Sequence, residues 1–375
     1  MKNFKAGSYI NQGYYKAFVP TFIHRDWQID DMELIQLLSR ADQALGRLDM
    51  YSRYVNIDLY ISIHLAKEAT QSSRIEGTQT RIEESFMREV DLVAEKRDDW
   101  AEVQNYIAAM HNAIALFDKL PFSSRLIRET HNVLMQGVRG ASKNPGNFRS
   151  SQNWIGGATI NDARFVPPPH NEIAALMSDL EKFANDFDHP MPALLKIALL
   201  HYQFETIHPF LDGNGRVGRL LISLYLVHTG ILRQPILYLS DFFERHRMLY
   251  YDKLMLARTN NDLLGWLKFF LVGVRETADQ GVQTFDGIMQ LEKGLDSRLK
   301  FLGSRAEAAR KVVESLFRNP VTDVNLVSEC IGKSNVTAYK LIASLETAGI
   351  LQEVTGLQRN RIYVFREYLD LFEAK

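Results

Sequence analysis

The sequence predicts a mainly α-helical protein: a helical domain that carries one projecting β-hairpin, followed by a winged helix-turn-helix unit at the C-terminal end. Three observations carry that prediction. Apolar residues recur at helical spacing along most of the chain. One interior stretch, 144–169, breaks the pattern with clustered turn signals. From Arg305 the texture changes to short helical segments followed by two alternating ones. At 375 residues the chain has room for two to three domains.

The helices come first in the argument. Residues 31–48 place Met32, Leu34, Ile35, Leu37, Leu38, Ala41 and Leu45 along one helical face. Residues 99–120, 173–187, 192–206, 216–228 and 263–279 read the same way. Pro192 suits a first turn, where its missing N–H costs nothing. Gly230 suits a stop after His228. The most apolar segments, 220–232 and 263–274, are shorter than a bilayer span, and the second contains Lys268. They are expected to be buried helices, with no membrane partner.

The interruption holds Pro145-Gly146, Gly156-Gly157, Asn161-Asp162 and Pro167-Pro168-Pro169. Two short extended pieces, 153–155 and 164–166, lie between these breakers and predict the hairpin. Residues 285–300 read as a connecting helix. Beyond it, 306–318, 325–331 and 335–348 read as helices, with Gly332-Lys333-Ser334 as a tight turn. Residues 351–354 and 361–365 alternate like two strands around Gly356. Helix, helix, turn, helix and a two-stranded wing is the order of a winged helix-turn-helix.

Composition excludes several classes. Hydrophobic residues make up 46% and charged residues 24%, with a formal net charge of −1. No global field points to nucleic acid or an acidic membrane. A single cysteine, Cys330, rules out an intrachain disulfide and argues against a cysteine metal site. It is expected to be a small core residue. Residues 1–12 lack the apolar run of a signal peptide, so a cytoplasmic location is expected.

The chemistry concentrates in 208–219, which reads His-Pro-Phe-Leu-Asp-Gly-Asn-Gly-Arg-Val-Gly-Arg. Gly213 and Gly215 let the backbone curl close to a ligand. The loop runs directly into a helix, whose free N–H groups form an anion site. Arg216 and Arg219 follow three apart, and guanidinium forks match phosphate oxygens. Asp212 is a hard oxygen ligand of the kind Mg²⁺ takes together with substrate phosphates. His208, at the loop entrance, can take a proton near neutral pH. A phosphate cradle, a metal ligand and a base within one short segment point to phosphoryl-type transfer.

That segment resembles the Fic family signature, His-x-Phe-x-Asp/Glu-Gly-Asn-Gly-Arg-x-x-Arg, and matches it at every fixed position. The resemblance implies a helical enzyme that moves AMP from ATP to a protein hydroxyl, with Mg²⁺ as cofactor. By resemblance His208 deprotonates the target hydroxyl and Asp212 holds Mg²⁺. Gly213, Asn214 and Gly215 bind phosphate oxygens, with Val217 and Gly218 completing the stretch. Arg216 and Arg219 hold the β- and γ-phosphates, and Phe210 anchors the loop. The predicted hairpin falls where such proteins carry a flap that aligns the target by strand addition, with Arg164, Phe165 and Val166 as its edge. Tyr250, Tyr251 and Arg258 fall where related enzymes place nucleoside contacts.

Upstream, Ser72-Ser-Arg-Ile-Glu76-Gly77 resembles the family's inhibitory motif, Ser/Thr-x-x-x-Glu-Gly/Asn. The resemblance implies that Glu76 pairs with Arg219 and denies it to the γ-phosphate. It covers about 60–280, and residues 1–60 resemble the family's helical lead-in. The expected units are an N-terminal helical region (1–98), a catalytic domain (99–284), a linker helix (285–304) and the winged helix-turn-helix (305–375). The last holds ten Lys and Arg against nine Asp and Glu, a weak basic footprint, so DNA and protein partners both stay open. Three functions stay open: AMP transfer, including self-modification; AMP removal or another nucleotide transfer; and an ATP-sensing transcriptional regulator. Homodimer formation is open as well.

Overall fold

The computed structural model describes residues 4–54, 56–117, 119–138, 140 and 142–373. Residues 1–3 and 374–375, the ends of the first and last expected units, lie outside the described residues.

The N-terminal segment departs from expectation. Instead of a wholly helical lead-in it begins with an antiparallel hairpin, β1 (Gly7–Asn11) and β2 (Lys16–Pro20), ahead of helix α1 (Met32–Tyr54). The signal was available: Gly13, with φ of 87°, marks the turn between two short runs rich in aromatic and β-branched residues. The hairpin is held from outside by the Phe18 N–H, which donates to the Val166 carbonyl at 2.9 Å.

Next come α2 (Ile61–Ile75), α3 (Ala94–Leu116), α4 (Ser124–Leu134) and α5 (Ile173–Asn185). Ser123 caps α4 by accepting the Leu126 N–H at 3.3 Å. α6 (Ala193–Ile207) and α7 (Asn214–His228) form the centre of the molecule. Every residue of α6 from 194 to 207 is buried. A helix buried all round belongs in the middle of a bundle. α7 packs against α6, α2, α3 and α4, and α5 covers the other side of α6. The loop joining α6 to α7 is the 208–213 segment.

α8 (Ser240–Arg245) and α9 (Arg247–Asn260) lead into α10, which runs unbroken from Leu263 to Lys300. The two helices expected at 263–279 and 285–300 are therefore one, and the boundary expected after 284 falls inside it. No proline interrupts 280–284, and Gly281 serves close packing rather than a break. A Cβ there would lie 2.8 Å from Leu48 of α1. α1 and α10 run along each other, tied by Arg47–Asp279 at 2.7 Å and by stacked Tyr51 and Phe285 rings.

The C-terminal unit contains α11 (Ala306–Arg318), β3 (Val321–Thr322), α12 (Val324–Ile331), α13 (Asn335–Thr347), β4 (Gln352–Glu353), β5 (Tyr363–Val364) and α14 (Arg366–Leu369). Its strands pair antiparallel in the order β3-β5-β4. Asp323 caps α12 through the Leu326 N–H at 2.8 Å, and Gly332, with φ of 62°, makes the turn to α13. Cys330 is exposed on α12, not in the core as expected: it follows the apolar face of a short helix and points off it. The unit docks on the start of α2. Tyr60 packs on Phe317 and Tyr368, and the Ser62 hydroxyl donates to the Arg318 carbonyl at 2.6 Å. Among the described residues no helix is long and apolar enough to cross a membrane.

Candidate active site

α6 ends at His208, whose backbone takes a left-handed conformation (φ 49°, ψ 62°) and turns the chain into the loop. The loop is braced from below. Phe210 is fully buried and stacks on the His131 ring at 3.7 Å. The Gly146 N–H donates to His131 Nδ1 at 2.9 Å, so the ring proton sits on Nε2 and is donated to the Asp212 carbonyl at 3.0 Å. Burial lowers the His131 pKa to about 4, which keeps that tautomer neutral.

Asn214 behaves differently from expectation. Its side chain is buried, accepts the Phe210 N–H at 2.8 Å and donates back to the Phe210 carbonyl at 2.9 Å. Its carbonyl and one amide N–H thus staple the turn, and the residue also lines the cavity above the loop. Arg149 and Asn153 brace the other edge. Arg149 Nε donates to the His208 carbonyl at 3.0 Å, its fork also reaches Pro168 and Ser151, and Asn153 Nδ2 donates to the Phe210 carbonyl at 2.8 Å.

The loop and the first turn of α7 floor a cavity of ≈ 540 Å³. Glu76, His208, Asp212, Gly213, Gly215, Arg216, Arg219, Tyr251, Arg258, Arg164 and Phe165 all line it. The early N–H groups of α7 have no partner within the helix and open toward this space. Val217 and Gly218 do not line it. Val217 is fully buried in the core, and the Gly218 carbonyl is engaged by His201. Helical spacing turns these two positions away from the cavity face.

Arg219 is almost completely enclosed. Nε donates to the Ser72 hydroxyl at 2.9 Å, and Nη2 donates to the Ser72 carbonyl at 2.9 Å and to Glu76 Oε1 at 2.6 Å. Ser72 lies on α2, and Glu76 follows its last residue, where Gly77 (φ 110°) turns the chain. A Cβ on Gly215 would lie 2.4 Å from Glu76 Oε1, so this pair needs a glycine beneath it. Burial, the largest influence, pushes the Glu76 carboxyl up, but the charge and hydrogen bond of Arg219 with the charges of Arg216 and His208 together pull it further down, and its pKa ends below the ordinary value. Arg216 is occupied elsewhere: Nη1 donates to Glu102 of α3 at 2.8 Å, with both side chains buried.

The His208 side chain is mostly enclosed, and burial, with Arg258 and Arg149 nearby, lowers its pKa to about 3. The imidazole is therefore neutral at physiological pH, as a proton acceptor must be. Glu205, one turn earlier, is buried, and its pKa is pushed up to about 7. Asp212 Oδ1 accepts the Gly213 N–H at 2.6 Å, while the side chain as a whole is 43% exposed at the cavity. Among the described residues no three His, Cys, Asp or Glu side chains cluster as a metal site. One open carboxylate beside a phosphate cradle suits Mg²⁺, which takes its other ligands from phosphates and water.

The hairpin is reduced to one antiparallel bridge, Ile155 with Phe165, through hydrogen bonds of 2.8 and 3.1 Å. Arg164 is half-exposed and pairs with Asp252. Phe165 is buried yet lines the cavity, whereas Val166 is buried and does not line it, so Val166 does not face the site as expected. Phe165 packs on Phe18, and the Val166 carbonyl is taken by the Phe18 N–H. The N-terminal hairpin, which helical periodicity did not anticipate, covers that side. Tyr250 reaches the cavity but is fully buried, its hydroxyl bonded to His201 Nε2 at 2.8 Å, so it is a core residue. Tyr251 stays half-buried at the wall, and Arg258 donates to the Thr206 hydroxyl at 3.0 Å beneath the cavity. His131, Arg149, Asn153, Glu102 and Glu205 were not singled out by motif. Each acts through a partner distant in sequence or on the next helical turn, so none carries a local signal.

Residues 121–226 match the Fic/DOC family, and residues 35–115 match the Fic/DOC family N-terminal region. The chain is 30% identical over 166 residues to Protein adenylyltransferase Fic of Drosophila willistoni, covering 44% of this chain and 30% of that one. It is 33% identical over 138 residues to the Aedes aegypti protein of the same name, covering 36% and 24%. The chain thus spans less than a third of either relative. A Fic family protein from Desulfovibrio desulfuricans G20 shares the fold with a TM-score of 0.59 at 18% identity, covering 91% of this chain and 98% of that one. Fic-1 from C. elegans superposes with a TM-score of 0.50 at 19% identity, covering 69% and 73%.

Proposed function

This chain belongs to the Fic/DOC family, and on that premise we propose that it is a protein adenylyltransferase held in check by its own Glu76. The observation that carries the reading is convergence: His208, Asp212, the first turn of α7 and Arg219 line one cavity, and Glu76 occupies Arg219 there. In this reading ATP lays its phosphates over the α7 N-terminus, where the backbone N–H groups of Gly213 and Gly215 meet them. Arg219 holds the terminal phosphate once Glu76 has left. Asp212 would hold Mg²⁺, which supplies neutralisation of phosphate charge when bound. Neutral His208 takes the proton of a target hydroxyl as that oxygen attacks the α-phosphorus. Tyr251 and Arg258 border the nucleoside end, and Arg164 offers a charged contact at the mouth for the target.

The brake is a matter of competing anions. A carboxylate and a phosphate ask for the same guanidinium fork, and the intramolecular one is always present. The same Glu76, beside His208 in the cavity, also favours a second reading in which it orients water to remove AMP from a modified protein. For the C-terminal unit we infer a winged helix-turn-helix that binds a protein or a DNA duplex; a mobility shift that weakens steeply with salt would select DNA. Self-modification and a homodimer fit the same reading.

Incubating wild type, Glu76→Gly and His208→Ala with Mg²⁺ and ATP labelled at the α-phosphate tests the proposal. Label on protein in Glu76→Gly, weak in wild type and absent in His208→Ala, supports transfer, brake and base together. No label in any sample, with ATP still bound, would overturn the transfer reading. Loss of label from a pre-modified protein, dependent on the Glu76 carboxylate, would favour removal.

A further inference from the structure

Beneath the loop lies a carboxylate that the reaction above leaves unused. Glu205 stands on the last turn of α6, three residues before His208, with a side chain only 9% exposed. Its Oε1 has no hydrogen-bond partner among the described residues. Its Oε2 lies 4.0 Å from His208 Nδ1, and that nitrogen also lacks a hydrogen-bond partner among the described residues. Two buried polar groups that face each other unpaired are costly, and the cost falls away when they meet. The main-chain oxygen of Glu205 acts on the same imidazole and favours its protonated form.

Space for the carboxylate is built into the neighbouring helix. A Cβ on Gly218 would lie 2.3 Å from Glu205 Oε1. Gly218 faces neither the cavity nor a ligand, so seating Glu205 accounts for a side-chain-free position there. Glu205 lines the cavity with His208, Glu76 and Arg219.

We propose that Glu205 is a positioning residue for His208, its carboxylate accepting the Nδ1–H so that the Nε2 lone pair faces the target hydroxyl. This rests on the AMP-transfer reading and deepens it. In the step, the hydroxyl oxygen forms a bond to the α-phosphorus. The bond from that phosphorus to the bridging oxygen breaks, and pyrophosphate leaves with its electron pair. The hydroxyl proton passes to Nε2. The imidazolium so formed keeps its Nδ1–H on Glu205, whose charge balances it, as in other carboxylate–histidine pairs.

The charged and titratable groups facing Glu205 are His208, Arg219 of α7, Glu76 beyond α2, and Arg258 and Tyr250 of α9. Burial raises the Glu205 pKa to about 7; Arg219 and Arg258 oppose that rise and Glu76 adds to it. Withdrawal of Glu76 therefore favours the ionised Glu205 that the base needs. The brake acts on the phosphate site and on the base at once.

The test uses the full chain in the Glu76→Gly background, comparing Glu205 with Glu205→Gln and Glu205→Asp. It reads kcat, KM for ATP, the pH profile of transfer from α-labelled ATP, and the ¹⁵N shifts of His208. The expected result is a kcat lower by about ten- to a hundred-fold in Glu205→Gln, with KM for ATP little changed. The rise in rate between about pH 6 and 8 should vanish with the carboxyl group. His208 should leave the Nδ1–H tautomer, and Glu205→Asp should recover part of both signals. An unchanged pH profile together with an unchanged tautomer would overturn the assignment. The ¹⁵N shifts need no turnover. If Glu76→Gly transfers no label, the transfer reading fails, and the His208 tautomer still decides the Glu205–His208 contact by itself.

Discussion

The two arginines of α7 stand one turn apart and are held in opposite ways. Arg216 meets Glu102 where both side chains are buried, at 4% and 2% exposure. Arg219 meets Glu76 where the arginine is buried at 1% but the carboxylate is 34% exposed to the cavity. Glu102 is rooted in the middle of α3, with helix on both sides of it. Glu76 is rooted just past the end of α2, before a glycine turn. A carboxylate 2% exposed has no open space to rotate into, whereas one 34% exposed at a cavity can swing on its side-chain torsions. On the proposed autoinhibition, the same guanidinium–carboxylate chemistry would be architecture in one place and a switch in the other.

That contrast can be broken by experiment. Glu102→Ala strands a buried cation, so unfolding stability should fall by about 3–5 kcal/mol, read as a lower denaturation midpoint at unchanged slope. A loss under about 1 kcal/mol would mean that Arg216 is not held as architecture. Glu76→Gly should change the midpoint little and instead raise transfer by about five- to 150-fold, the usual range of a regulatory coupling. A stability loss matching that of Glu102→Ala, without activation, would erase the distinction between the two pairs. Ser72→Ala removes one hydroxyl acceptor from Arg219 and leaves the carboxylate. It should loosen the brake by less than Glu76→Gly, about two- to ten-fold in basal transfer.

The smallest effect concerns pH. Glu76 has a lowered pKa, so its pairing contributes fully above the unfolded-state value and is lost only as pH falls through the lower folded value. The ratio of Glu76→Gly to wild-type activity should therefore not fall between about pH 6 and 9, and should rise toward pH 6, where Glu76 keeps Glu205 more fully protonated in the wild type. A ratio that collapses toward one within that window would place a different titrating group in charge of the brake.

Much of the catalytic segment is legible in the amino-acid sequence. The spacing of His208, Asp212 and Arg219 and the adjoining helix start place all three on one cavity, as the motif order implies. The pairing of Arg219 with Glu76 is legible only through resemblance, and its contacts with Ser72 only in the structure, because nothing local links residues so far apart. Asn214 and Val217 depart from expectation for a shared reason. A motif names residues without saying which way they point, and Asn214 turns inward to staple Phe210 while Val217 fills the core. Val166 departs from it because the hairpin that covers it, β1 with β2, sits at the other end of the sequence. The split expected in α10 fails because no residue of 280–284 breaks the helix, and Gly281 is a seat for Leu48.

The sequence by itself determined the helical class and the glycine-rich loop that runs into α7. These follow from periodicity and from spacing along a covalent backbone, which act over a few residues. Tertiary structure alone decided that Glu102 holds Arg216, that Arg149 and His131 brace the loop, and that Glu205 lies under His208 in a seat left by Gly218. Each of those depends on which buried groups must find partners once the helices have packed, and a buried charge or hydrogen-bonding group takes the partner that packing brings, at whatever distance along the chain.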